Sequence, residues 1–287
     1  MSGRHTKPAV MIACVGLAGL AARAAAAPDF SVVTTLGDSL TMPQPIDTYA
    51  ELTCQQLGVV PINLAVGGAT SASLLTQQQH TNAVNYGTTF TFLWIGGNDM
   101  LAAADNYDLF TAGETGWIDA YAVNFATALD TLIAGGADVI VANLPDFDDA
   151  IGFPAGVIVG PRQRPIVREN MEAYTAALQS VADARGVPVV DVFTGWEQML
   201  ANPPTAYGHT VTNTVGDPLL GHLWLDSIHP NQLGHRILAN MFIDTMNDTW
   251  GLGIDHVPLP EPATTCLLLP GVVGLFRRRR GIRRCPA

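Results

Sequence analysis

Ser39, in Gly37-Asp38-Ser39-Leu40, and His229, in Asp226-Ser227-Ile228-His229, are the residues of this chain best suited to covalent chemistry. A serine hydroxyl is a weak nucleophile until an imidazole takes its proton, and the imidazole needs an acid at its other nitrogen to fix the tautomer. Ser39 is therefore the candidate nucleophile, His229 the candidate general base, and Asp226 the group that orients it. Two glycine-centred turns lie between them, Ala65-Val66-Gly67-Gly68-Ala69-Thr70 and Gly96-Gly97-Asn98-Asp99. An attack on a carbonyl creates an oxyanion, which needs donors already in place. The Ser39 N–H, the Gly68 N–H and the Asn98 side-chain amide are the candidates, with Gly67 a second choice for the middle one. Asp99 and Asn63 read as turn-stabilising residues. A helix-capping Ser39 and His229, with a solvated Asp226, is the structural alternative.

Five apolar, β-branched runs precede these turns, at 30–36, 61–66, 88–95, 137–144 and 187–193. Helical spacing joins Ile118, Tyr121, Phe125, Leu129 and Leu132, and Gly135-Gly136 stops that helix. Further helices are expected over 164–185 and from Leu233 to Met246. Strands alternating with helices predict an α/β fold, a three-layer α/β/α sandwich around a five-stranded parallel sheet. Ligands of such sheets sit beyond the carboxyl ends of the strands, which puts Ser39, Gly68 and Asn98 on one rim. Long loops are expected at 100–116 and 145–163, with Phe110, Trp117, Phe147, Ile151 and Phe153 as candidate walls of an acyl pocket or, equally, as local packing.

Other chemistries fit less well. A metal site from His222, Asp226, His229 and His235 lacks the usual helical zinc spacing. The acidic run Asp146, Asp148, Asp149 lacks the glycine and alternation of an EF-hand loop. Residues 28–258 carry five arginines, no lysine and 24 acidic residues, a net of −19 against −11 for the whole chain. Such a surface repels nucleic acid and anionic headgroups. Cys54 is the one cysteine of this stretch, expected to be a small buried hydrophobe.

The ends read as targeting segments. Residues 1–26 have a basic start, an apolar centre and the run Ala24-Ala25-Ala26-Ala27, the layout of a cleavable export signal. Residues 257–287 hold Pro260-Glu261-Pro262, an apolar stretch interrupted by Pro270, and Arg277-Arg278-Arg279-Arg280. This tail resembles the PEP-CTERM sorting signal of Gram-negative bacteria. The resemblance implies transient association with the inner membrane, processing by an exosortase-type enzyme, and delivery to the cell surface or its matrix. Residues 27–256 are left as one domain.

The four blocks Gly37-Asp38-Ser39-Leu40, Asn63 to Thr70, Gly96-Gly97-Asn98-Asp99 and Asp226-Ser227-Ile228-His229 resemble, in order, those of the GDSL, or SGNH, hydrolase family. Asn143-Leu144-Pro145-Asp146 and Leu200-Ala201-Asn202-Pro203 are most similar to its bacterial lipase, phospholipase and haemolysin-like branch. The resemblance implies a flavodoxin-like fold, no cofactor, and cleavage of carboxylic esters through an acyl-enzyme. Its site residues map onto Ser39, Gly68, Asn98, Asp226 and His229. The substrates so implied are lipid or small acyl esters; acetyl esters of polysaccharide are the second enzymatic reading, suggested by the matrix setting that the tail implies. A binding protein that retains the fold is the non-enzymatic alternative.

Overall fold

The computed structural model describes residues 26–107, 116–145, 164–226 and 228–261. Five parallel strands form its centre: β1 (Val33–Gly37), β2 (Ile62–Asn63), β3 (Phe90–Trp94), β4 (Asp138–Ala142) and β5 (Val189–Val190). Their spatial order is β2-β1-β3-β4-β5. All five residues of β1 and of β3 are buried, as expected of strands covered on both faces.

One face carries α1 (Tyr49–Leu57) and α8 (Gln232–Trp250), which pack on each other. Phe90, Phe92 and Trp94 alternate toward this side, where Tyr49 stacks on Phe242 at 4.4 Å and meets Trp94 edge-on at 5.0 Å. The other face carries α2 (Ser71–Thr76), α3 (Gln79–Asn85), α5 (Gly116–Ala134) and α6 (Arg164–Asp183). There Trp117 stacks on Tyr174, and the Tyr174 hydroxyl donates to the Ile95 carbonyl at 3.0 Å. Trp117 is thus a core residue of α5, and it is not among the residues that line the pocket beside Ser39.

The expected elements differ from the observed ones where side chains intervene. The strand expected at 187–193 stops at Val190, because the Asp191 carboxylate caps a new helix, α7 (Val192–Ala201), by accepting the Thr194 N–H. The Asn143 side chain accepts the Phe193 N–H at 2.9 Å and donates to Asp191 at 2.8 Å. The loop expected at 100–116 begins as helix α4 (Gly97–Tyr107), with Asp99 in its first turn. Phe110, Phe147, Ile151, Phe153 and the acidic run from Asp146 lie outside the described residues, as do residues 1–25 and 262–287 of the two targeting segments. Short strands β6 (Thr205–Ala206), β7 (His209–Thr210), β8 (Thr212–Val215) and β9 (His222–Trp224) lead into the His229 loop. After α8 the chain runs back along it, the Asn240 side chain holding both the N–H and the carbonyl of Val257. Among the described residues no helix is long and apolar enough to cross a membrane.

Candidate active site

The order β2-β1-β3 places a topological switch between β1 and β3, where two successive crossovers leave in opposite directions and open a crevice. Ser39 follows β1 and Asn98 follows β3, so both arrive at that crevice. Gly37 makes the exit from β1 possible. Its φ of +149° and its closeness to the Trp94 carbonyl leave no room for a Cβ. Sequence reasoning overlooked a buried clamp on this residue. The Gln79 amide accepts the Gly37 N–H at 3.0 Å and donates to the Gly37 carbonyl at 3.1 Å, pairing it as a neighbouring strand would. The Asp38 carbonyl then accepts the N–H groups of Thr41 and Met42, which bends the chain sharply at Ser39.

His229 comes from the loop between β9 and α8. Asn231 caps α8 through the Leu233 and Gly234 N–H groups and donates to the His222 carbonyl, tying the helix start to β9. The Leu225 N–H closes the loop on the His229 carbonyl at 2.9 Å. Within it, one Asp226 oxygen accepts the backbone N–H groups of Ile228 and His229, at 2.8 and 2.7 Å. The other lies 2.9 Å from His229 Nδ1. Partial burial alone would raise the Asp226 carboxyl, but these hydrogen bonds outweigh it and hold the group below the usual carboxylate range. His229 Nε2 lies 3.0 Å from Ser39 Oγ. A continuous hydrogen-bonded chain thus runs from Asp226 through His229 to Ser39, across 190 positions of sequence.

Of the expected donors, Ser39 and Asn98 line one pocket, while Gly68 is not among the residues that line it. Gly68 turns at φ +75°, while Gly67 packs against Met42. Among the described residues neither the Ser39 nor the Gly68 N–H has a partner within the protein. The Asn98 amide donates to the Ala69 carbonyl at 3.0 Å and to Asp38 at 3.2 Å. Asp99 ties the start of α4 to the start of α2 by accepting the Ser71 N–H and hydroxyl. Asn63 donates to the Thr41 carbonyl at 2.7 Å and accepts the Ala65 N–H, joining β2 to the Ser39 turn. Both residues act on the turns, as their sequence context suggested.

Asp38 is a second residue the sequence did not single out. It is 3 % exposed, and burial pushes its carboxyl up to about 6. Asp99 adds to that rise; the Leu40 N–H, His229 and Asn98 oppose it. The histidines considered for a metal do not gather. His235 is buried and accepts the Tyr49 N–H on Nδ1, whereas Nδ1 of His222 lies 2.5 Å from the Thr214 hydroxyl. Among the described residues no group of three or more His, Cys, Asp or Glu is disposed to hold a metal ion.

Ser39 opens onto a pocket of about 530 Å³, counting the space at its mouth. Its walls are mostly apolar: Leu40, Leu101, Leu144 and Ile228, with Trp94, Trp196 and Trp224. The tryptophans come from β3, α7 and β9, elements separated by long stretches of sequence.

Fold and site together define an α/β/α architecture that sets a hydrogen-bonded Ser39, His229 and Asp226 at the rim of a parallel sheet. Residues 35–237 match the GDSL-like Lipase/Acylhydrolase family, and the chain belongs to that family of carboxylic ester hydrolases. Similar solved structures include Axe2, an acetylxylan esterase from Geobacillus stearothermophilus, at TM-score 0.56 and 18 % identity, covering 81 % of this chain and 98 % of that one. The acetyl xylan esterase AlAXEase matches at TM-score 0.53 and 16 % identity, covering 74 % and 98 %. No curated protein matches the sequence.

Proposed function

We propose that the protein is an exported serine esterase whose substrate carries an apolar acyl group. The observation that carries this reading is the chain from Asp226 to His229 to Ser39 Oγ, with links of 2.9 and 3.0 Å, opening on an apolar pocket. In this reading neutral His229 takes the Ser39 proton as Oγ attacks the ester carbonyl. The tetrahedral oxyanion is met by the Ser39 and Gly68 N–H groups and the Asn98 amide. Asp226 stabilises the imidazolium without taking its proton. His229 then protonates the departing alcohol, leaving an acyl group on Ser39. A water molecule, deprotonated by His229, attacks that acyl-enzyme and releases the acid.

A second reading, removal of acetyl groups from polysaccharide, is favoured by the structural likeness to acetylxylan esterases. Catalytic mutants of Axe2 replace a serine, an aspartate, and a histidine three positions beyond the aspartate, the spacing of Asp226 and His229 here. Hydrolysis of p-nitrophenyl acetate, butyrate and octanoate by wild type and Ser39→Ala separates the readings. Activity that is lost in the variant and rises from acetate toward octanoate supports the acyl pocket. A marked preference for acetate supports the second reading. Activity in neither protein toward these esters or an acetylated xylan leaves a binding role on a hydrolase fold. Residues 1–26 and 257–287 we assign to export and sorting, on their sequence patterns alone. An intact-mass measurement of the protein from its native cell tests this: mature ends near 27 and 260 are expected, and uncut ends contradict it.

A further inference from the structure

The two polar neighbours of the Asn98 amide point to a role for Asp38. Asn98 Nδ2 has two protons, and both face acceptors: the Ala69 carbonyl at 3.0 Å and Asp38 Oδ2 at 3.2 Å. Rotating the amide by half a turn would set its oxygen against a carbonyl and a carboxylate. The orientation of the amide is therefore imposed by these two acceptors. The other oxygen, Asp38 Oδ1, accepts the Leu40 N–H at 3.0 Å, within the turn that presents Ser39. Both oxygens accept, an arrangement that the ionised carboxylate serves best, because protonation turns one of the two into a donor and weakens it as an acceptor. The side chain is almost wholly buried, so water does not substitute for either contact.

We propose that Asp38 is a positioning residue for acyl transfer, its ionised carboxylate locking the Asn98 amide to the nucleophile turn so that the amide stays aimed at the forming oxyanion. The inference rests on the reading of Ser39 as nucleophile and Asn98 as donor. The longer, 3.2 Å contact marks the proton most readily shared with a substrate oxygen in a three-centred bond. Asp38 also lines the pocket beside Ser39 and Asn98. Asp99 and His229 are the titratable groups that act on it, the first disfavouring its charge and the second favouring it. Since burial pushes the Asp38 carboxyl up to about 6, the lock is complete on the alkaline side of that value.

Asparagine is the discriminating replacement. It nearly keeps the shape but offers one acceptor, so serving Leu40 turns its NH₂ against the NH₂ of Asn98. Asp38→Asn is expected to lower kcat about tenfold or more with KM within about twofold, because only the transition state carries the oxyanion. Asp38→Ser, whose hydroxyl reaches Leu40 but not Asn98, is expected to show the same split. In an Asn98→Ala background, Asp38→Asn should cost little further, since the group it positions is gone. An Asp38→Asn kcat within twofold of wild type, or losses that multiply in the double variant, overturns the inference. Unchanged Asp38→Asn kinetics alongside a dead Ser39→Ala overturn this inference alone, whereas turnover retained in Ser39→Ala overturns the site reading as well. Should both Asp38 variants fail to fold, nuclear magnetic resonance on the wild type holds the test. The Asn98 side-chain amide signal, assigned by its loss in Asn98→Ala, should move with the titration of the Asp38 carboxyl carbon. An Asn98 signal that stays fixed while Asp38 titrates overturns the proposal.

Discussion

Replacing His235 with leucine should change how stability depends on pH, by an amount the structure sets. His235 lies in α8 at 0 % exposure and accepts the Tyr49 N–H at 3.2 Å, capping the first turn of α1. Burial first, and the nearby His229 second, push its imidazole down to about 3. In the unfolded chain the same group titrates near 6.5. The unfolded state therefore binds more protons between these values, and stability falls as pH drops through that window. At pH 4 the difference amounts to about 3 kcal/mol, and at pH 7 it is close to nothing. His235→Leu removes this titration but leaves the Tyr49 N–H buried without an acceptor, at a cost of about 1–3 kcal/mol. Urea unfolding of both proteins at pH 7 and pH 4, followed by tryptophan fluorescence, reads the two effects. The variant should be the less stable at pH 7, and the gap should close or reverse at pH 4. Comparing the two proteins cancels the opposite trend from Asp38, whose raised carboxyl weakens the fold as pH rises through about 4 to 6. A gap that is the same at both pH values would refute the assignment of His235 as a buried neutral cap.

Further expectations follow from the same geometry. Asn98→Ala should lower kcat on the order of 100-fold with little change in KM, measured on the best p-nitrophenyl ester. Wild-type turnover should rise as pH passes through about 6 and Asp38 loses its proton, and a flat profile across that value counts against its positioning role. Gly37→Ala should lose most activity and stability together, because its Cβ has nowhere to go beside the Trp94 carbonyl; a variant with wild-type melting and turnover contradicts that account. Cys54, whose thiol burial pushes up to about 12, should ignore Ellman's reagent at pH 8 until urea unfolds the chain. Rapid native reaction would show that the thiol is accessible.

The parts of this molecule that could be read from sequence are those with a local physical cause. A buried parallel strand must be nearly all apolar, so the runs that became β1, β3 and β4 stood out. The turns after them needed glycine, so Gly37, Gly68 and Gly96 marked where Ser39, the donor loop and Asn98 would meet. Asp226 and His229 are three residues apart, close enough for one short loop to join them. What stayed hidden depended on partners distant in sequence. Asp38 acts on Asn98 60 residues away, and the type of a residue does not announce such a partner. Gln79 pairs with Gly37 across 42 residues, from a helix whose preceding residue, Gln78, sits at φ +60°. The start of α7 was misread because Val-Phe after β5 looks like more strand, and only the capping by Asp191 turns it into helix. Trp117 could be read either as a pocket wall or as local packing for a similar reason: an aromatic after a long loop resembles a rim residue until α6 brings Tyr174 against it. The tryptophans that do line the pocket converge only once β3, α7 and β9 are assembled.

The most direct test of the central claim is covalent labelling with a fluorophosphonate, located by peptide mass spectrometry. The account predicts one adduct per chain, on the Ser39 hydroxyl, absent in Ser39→Ala and slowed when His229 is replaced by alanine. An adduct on another residue, or no adduct in a folded protein that hydrolyses esters, would contradict it.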